Sequence, residues 1–248
     1  MCGRYSLATP AQSDMRGRFG LGESLEIRRR FNIAPGDEVV TVTTTKDGEP
    51  RGSLLRWGLV PFWAKDPKVG YKMINARAET IAEKPAFRDA LKTRRCLIVA
   101  DGFYEWQKNP ALPRAKKQPF HITRADGAPF AFAGLWASWH GTGDEALRSC
   151  TIITTDANDR LRDIHDRMPV ILPDQDAEEA WLEHGTPPEL LGELLIPLPD
   201  ALTARRAVGP AVSDARHDEP DCLDDAPPEP GDDGGGAGNA GAAPLSLF

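Results

Sequence analysis

Short runs in which β-branched and aromatic side chains alternate with polar ones recur along the chain, each closed by a turn signal. Residues 38–45 (EVVTVTTT) read as a strand, and Asp47-Gly48 as the turn into a second strand over 52–59. The continuous apolar run 96–100 suits a buried strand, with Asp101-Gly102 as a hairpin turn into a returning arm over 103–107. Residues 119–123, 129–139 and 149–155 add further strands, with Asp126-Gly127 as another hairpin turn. Helical spacing is found over 11–19, 86–92, 158–164 and 176–184. Many short strands with frequent turns and a few short helices predict an α+β fold. It is expected as a single domain with a curved, barrel-like antiparallel β-sheet core flanked by short helices.

Composition narrows this picture. The 248 residues are 40% hydrophobic, enough for one sizeable core. No apolar stretch reaches the ~18 residues that a membrane helix needs. Residue 1 onward also lacks the basic segment and apolar run of a secretory signal. A soluble, cytoplasmic protein, monomeric and without membrane contact, is therefore expected. The four cysteines, Cys2, Cys96, Cys150 and Cys222, are scattered singly, so neither a disulfide framework nor a metal site is expected.

A net charge of −7 argues against nucleic acid until its distribution is considered. From Asp214 onward nine residues are acidic and one, Arg216, is basic, which leaves 29 basic and 28 acidic residues in the body. That body can carry a basic groove, to which Arg28-Arg29-Arg30, Lys92 with Arg94-Arg95, Arg114 with Lys116-Lys117, and Arg205-Arg206 are candidate contributors. The ordinary use of each cluster is solvated surface charge. The division expected is a domain over 1–213 and a disordered tail over 214–248, which is acidic and rich in Gly, Pro and Ala.

Candidate chemistry begins at Cys2. Loss of Met1 would leave an α-amine and a thiol on adjacent carbons. The amine condenses with an aldehyde to an imine, and the thiol then closes on the imine carbon to give a thiazolidine, an intramolecular step favoured by proximity. The α-amine, with an ordinary pKa of about 7.7–8.0, is partly free near neutral pH. By position alone, a small buried residue at a frayed end is the commoner outcome. Three other segments bear on the choice. Asn75, Arg77 and Glu79 occupy alternate positions and would share one face of an extended stretch. Glu105 stands among Phe103, Tyr104 and Trp106, where burial would raise its pKa and suit it to proton transfer; an exposed strand-edge carboxylate is the alternative. His165 lies between an apolar residue and the pair Asp166-Arg167, as a proton carrier or a structural histidine. The loop Trp57-Gly58-Leu59-Val60-Pro61-Phe62-Trp63 could stack unpaired bases or form a core corner.

Six stretches in order, residues 1–5, 30–36, 57–63, 74–80, 100–106 and 164–169, resemble the SRAP family (SOS response-associated peptidase; abasic-site processing proteins). The resemblance covers roughly 1–213, and Val212-Ser213-Asp214-Ala215-Arg216-His217 matches its last motif only loosely. It implies a DNA-damage response protein that needs no cofactor or metal. Cys2 would form a covalent thiazolidine crosslink with abasic sites in single-stranded DNA and shield them from cleavage. Asn75 would hold the opened sugar or the N-terminus, Glu105 would accept and donate protons, and His165 would assist sugar opening. Arg4, Arg77 and Arg167 would contact phosphates, with Trp63 and Pro61 beside the passing strand. A cysteine-type peptidase acting through Cys2, Glu105 and His165 is a second reading, and a noncovalent single-strand or modified-DNA binder a third.

Overall fold

The computed structural model describes residues 2–9, 12–108, 117–141 and 146–227. Among the described residues, five strands form an open sheet: β1 (Tyr5–Leu7), β2 (Arg30–Ile33), β7 (Gly102–Lys108), β8 (Lys117–Arg124) and β13 (Thr203–Ala207), in the order β13-β8-β7-β1-β2. The others build a barrel. Here β3 (Glu38–Thr44), β4 (Pro50–Trp57), β6 (Arg95–Ala100), β9 (Phe130–Trp139) and β10 (Leu147–Asp156) close on themselves, because β10 pairs with both β4 and β9. The edge strands β5 (Asn75–Arg77) and β11 (Arg167–Pro169) flank β10, and β12 (Ile171–Leu172) pairs with β9. The expected curved, barrel-like sheet is present, with one qualification: β4 and β5 run parallel to β10. The α-helices are short: α1 (Gln12–Arg18), α2 (Arg88–Thr93), α3 (Gln175–Leu182) and α4 (Pro188–Glu193).

The core lies where the open sheet crosses the barrel. Tyr5 of β1 meets Trp57 of β4 and Phe132 of β9 edge-on, at ring separations of 5.3 and 5.6 Å. Phe103 of β7 reaches the same Phe132 at 6.2 Å. These rings are fully or almost fully buried, so the two sheets share one apolar interior.

Two expected hairpins are not hairpins. Asp47-Gly48 does join paired neighbours, β3 and β4. Asp101-Gly102, however, carries the chain from β6 in the barrel to β7 in the open sheet, and Asp126-Gly127 carries it back from β8 to β9. A carboxylate knot holds the first corner, where Asp101 accepts from Ser6 Oγ at 2.6 Å and from Thr9 N and Oγ1 at 2.6 and 2.7 Å. The helix expected over 158–164 is a series of turns. There Asn158 Nδ2 is held by Leu198 O and Thr203 Oγ1, at 2.7 and 2.8 Å, which pins the segment before a helix can propagate.

The boundary at 213 also moves. Asp218 accepts from Phe31 N and Asn32 N at 2.6 and 2.7 Å and pairs with Arg30, while Cys222 is fully buried beside Val208, Val212 and Tyr104. The first part of the acidic tail therefore supplies carboxylates to the edge of β2 and closes a second small core. Residues 228–248, the rest of that expectation, lie outside the described residues.

Candidate functional site

Local packing fixes each candidate side chain. Cys2 precedes β1, whose register against β7 pairs Tyr5 with Phe103, and Tyr104 N donates to Arg4 O at 2.9 Å. Continuing that antiparallel register sets Gly3 opposite Glu105, and the Glu105 charge is close enough to act on the Cys2 thiol. Asn75 arrives from the barrel side, paired with Ile152 of β10. Its approach is set by the Trp57 corner: Trp57 Nε1 donates to Ile74 O at 2.9 Å, and Leu59 N donates to Met73 O at 3.1 Å. Gly58 makes this corner possible, with φ +121° and an added Cβ that would meet Gly70 O at 2.8 Å. His165 stands at the end of the turns over 158–164, just before β11.

Cys2, Asn75, Glu105 and His165 thus converge from four separate segments at the seam between barrel and open sheet. Asn75 Nδ2 donates to Cys2 O at 2.8 Å, while Asn75 Oδ1 is buried without a hydrogen-bond partner among the described residues. Glu105 is only 6% exposed, which excludes the strand-edge alternative. Burial raises its pKa, and nearby positive charge, including that of His165, pulls it partly back. The Cys2 thiol is fully buried and held well above the usual thiol range, first by burial and then by the Glu105 charge. Its Sγ reaches Arg4 O at 3.8 Å. His165 Nδ1 accepts from Arg167 N at 3.0 Å and lies 2.9 Å from the exposed Asp166 carboxylate.

The other expected residues divide. Arg77 is exposed and has no hydrogen bond or ion pair among the described residues, leaving its guanidinium available. Arg4 is half-buried and bonded to Asn32 Oδ1 and Val212 O, at 2.8 and 2.9 Å. Arg167 forms a fork with Glu79, at 2.8 and 2.9 Å, and also binds Asp156 and Thr154 O. Glu79 does not share a face with Asn75 and Arg77, because the strand ends at Arg77 and a 3-10 turn, Ala78–Thr80, rotates it toward Arg167. In the aromatic loop Trp57 is core, Pro61 is buried, and Trp63 is 51% exposed. Phe62, 64% exposed, is an unforeseen member of this face, and its place in the same aromatic run was the signal for it.

The basic clusters are mostly neutralised. Arg28 pairs with Glu26, Arg30 with Asp37 and Asp218, Arg205 with Asp163, and Arg206 with Asp225, while Arg95 is buried. Arg114 and Lys116 lie outside the described residues, as does Met1.

A Ser6–His121–Asp101 contact has the look of a hydrolytic triad but not its properties. Ser6 Oγ is 3.0 Å from His121 Nε2, yet both residues are buried, and burial pushes the His121 pKa down to about 4. This is a structural knot.

Comparison with known proteins places this constellation in context. The family model described as SOS response associated peptidase (SRAP) matches residues 1–215. The chain is 46% identical over 201 residues to the abasic site processing protein YoaM of Bacillus subtilis, covering 79% of this chain and 86% of that protein. It is 41% identical over 228 residues to YoqW of the same organism, covering 90% and 99%. The abasic site processing protein HMCES of Mus musculus is 36% identical over 269 residues, covering 90% of this chain and 75% of that protein. A solved structure from Bacteroides thetaiotaomicron superposes with a TM-score of 0.79 at 25% identity, over 91% of this chain and all of that one. Another from Bordetella bronchiseptica gives 0.70 at 31% identity, over 84% of this chain and all of that one.

Proposed function

This chain belongs to the SOS response associated peptidase (SRAP) family, and from that premise we propose that it processes abasic sites in DNA by covalent capture through Cys2. The α-amine, freed by loss of Met1, attacks the aldehyde carbon of the ring-opened deoxyribose in single-stranded DNA. Loss of water gives an imine. The thiol then adds across the C=N bond, sulfur to carbon and hydrogen to nitrogen, closing the thiazolidine and shielding the site from strand cleavage.

The observation that carries this reading is the meeting of Cys2 with a buried, protonatable Glu105 and the Asn75 amide. Glu105 takes a proton from the ammonium and returns one to the carbinolamine hydroxyl as water leaves. His165, whose charge acts on Glu105, passes a proton to the sugar ring oxygen as it opens. Asn75 fixes the Cys2 carbonyl, and with it the direction of the amine, while Arg77 meets a phosphate. Arg4 and Arg167, bonded to protein acceptors, hold the surrounding backbone in place. Trp63 stacks a base beside Pro61.

The raised pKa of Cys2 also separates this reading from a peptidase. A thiol protease needs thiolate at neutral pH, whereas here burial and Glu105 suppress it. Capture that begins at the amine requires the thiol only for ring closure.

The test is incubation with a single-stranded oligonucleotide carrying one abasic site. A band resistant to denaturant is expected, absent in Cys2→Ala while native-gel binding persists. Cys2-dependent cleavage of an unrelated peptide without any adduct would favour the peptidase. Native-gel binding without an adduct in either protein would favour a noncovalent binder.

A further inference from the structure

Among the described residues, one basic patch has no carboxylate partner. At the end of the barrel away from Cys2, a depression of about 360 Å³ is lined by Thr43, Lys46, Arg51, Trp136, Arg148 and His184, with three further threonines. Thr43 is near the end of β3, and Arg51 and Arg148 are the second residues of β4 and β10. Asn75 pairs with β10 at Ile152, and Arg167 pairs with its last residue, Asp156. At ~3.3 Å per residue, Arg148 is therefore roughly 13 Å from the first position and roughly 26 Å from the second along the strand.

Among the described residues no carboxylate lines this depression, and Lys46, Arg51 and Arg148 have no ion pair or side-chain hydrogen bond. Asp47 and Glu49, on the adjoining hairpin, do not line it. Arg148 lies over the Trp136 ring, 4.9 Å from its centroid. Burial lowers its pKa, and the next largest influence is repulsion from Arg51. Two guanidinium groups held together in a chain of net charge −7, where most other arginines have carboxylate or carbonyl partners, is an arrangement that an anion stabilises.

We propose that this depression is a second phosphate-binding site, which takes the phosphodiester backbone of single-stranded nucleic acid at the barrel end remote from Cys2. The guanidinium fork matches two phosphate oxygens. The depression is open rather than enclosed, so a continuous strand can pass through it. The hydroxyls of Thr43 and Thr44 already donate to Arg51 O and Leu182 O, so the charged donors Lys46, Arg51 and Arg148 carry the proposed binding. The choice of nucleic acid rests on the proposed function, but the site itself does not require abasic chemistry.

The experiment measures fluorescence anisotropy of an unmodified oligonucleotide of roughly 20 nucleotides, longer than the 4–16 that one groove of this kind covers. Arg51→Gln/Arg148→Gln should weaken binding about tenfold at low salt and reduce the slope of log K against log salt by about 1.4, two phosphates at ~0.7 each. Arg28→Gln/Arg216→Gln removes the same formal charge elsewhere and should change affinity less than about twofold. Arg51→Gln alone removes an exposed side chain, keeps the fold, and should reduce the slope by about 0.7. Unchanged affinity and slope in both Arg51 variants would overturn the proposal. So would binding of inorganic phosphate by the wild type, lost in the double variant, without any effect on oligonucleotide binding, because the site would then serve a small anion. A short abasic oligonucleotide of about 5 nucleotides should crosslink equally in wild type and double variant. Failure of the wild type to crosslink at all would defeat the proposed function and leave the salt slope to decide this site.

Discussion

At position 105 the chain buries a carboxyl group whose ionised form burial disfavours. Burial raises the folded-state pKa above the unfolded value of about 4.3. The stability from this group is then fully present below that value and is lost as pH rises through the folded-state pKa. Glu105→Gln should accordingly raise Tm at pH 7, with the gain disappearing near pH 4, while slowing adduct formation about 10²-fold. Calorimetry at the two pH values and a timed denaturing gel check both halves. Cys2, Asn75, Glu105 and His165 could be named together from the sequence only through the family resemblance: taken alone, Cys2 reads more simply as a small buried residue, and Glu105 and His165 each have an ordinary structural use. Arg51 and Arg148 were not legible. Each stands outside any basic run, and only the closing of β4, β9 and β10 brings them to one depression.

Elements were readable where a period of two ran long enough to register, as in β3 and β9, or where an apolar run was unbroken, as in β6. The strands β1, β5, β11 and β12 span only two or three residues, too few to show any period, and owe their conformation to neighbours. The Asp-Gly pairs at 101 and 126 signalled real turns, but a turn does not determine which sheet receives the next strand. For β7 that was decided by the register of Phe103 on Tyr5 and the packing of both on Phe132. The short helices depend on similar help. Buried Arg95 at the start of β6 donates to Leu91 O and Lys92 O at 2.7 and 3.1 Å, to Trp181 O at 2.6 Å, and to Glu183 O, so one guanidinium satisfies the C-terminal carbonyls of α2 and α3. Arg95→Met keeps much of the volume and strips those carbonyls of donors. It should lower unfolding free energy by about 2–4 kcal/mol, measured by denaturant titration, with the loss of hydrogen exchange protection concentrated in α2 and α3.

The whole molecule joins a closed barrel to an open sheet and places the candidate site at their seam, so that no single sheet contains it. This separation explains why the architecture could be foreseen in outline while the seam could not: each strand pattern reports burial, not which sheet provides it. The tail shows the same limit. Its composition suggests disorder from residue 214, yet Asp218 and Cys222 are individually suited to cap β2 and fill a small core. A chain ending at Ser213 should therefore melt about 5–15 °C below one ending at Pro227, corresponding to the loss of about 2–4 kcal/mol in a domain of this size. Differential scanning calorimetry of the two truncations reads this directly.

The central claim is that Cys2 contributes both its α-amine and its thiol to one covalent product. Peptide mass analysis after incubation with an abasic oligonucleotide tests it most directly. The account predicts that the modified peptide begins at Cys2, lacks Met1, and carries the sugar with loss of one water, with the thiol no longer open to alkylation. An adduct on another residue, or one on Cys2 whose thiol still alkylates, would contradict it.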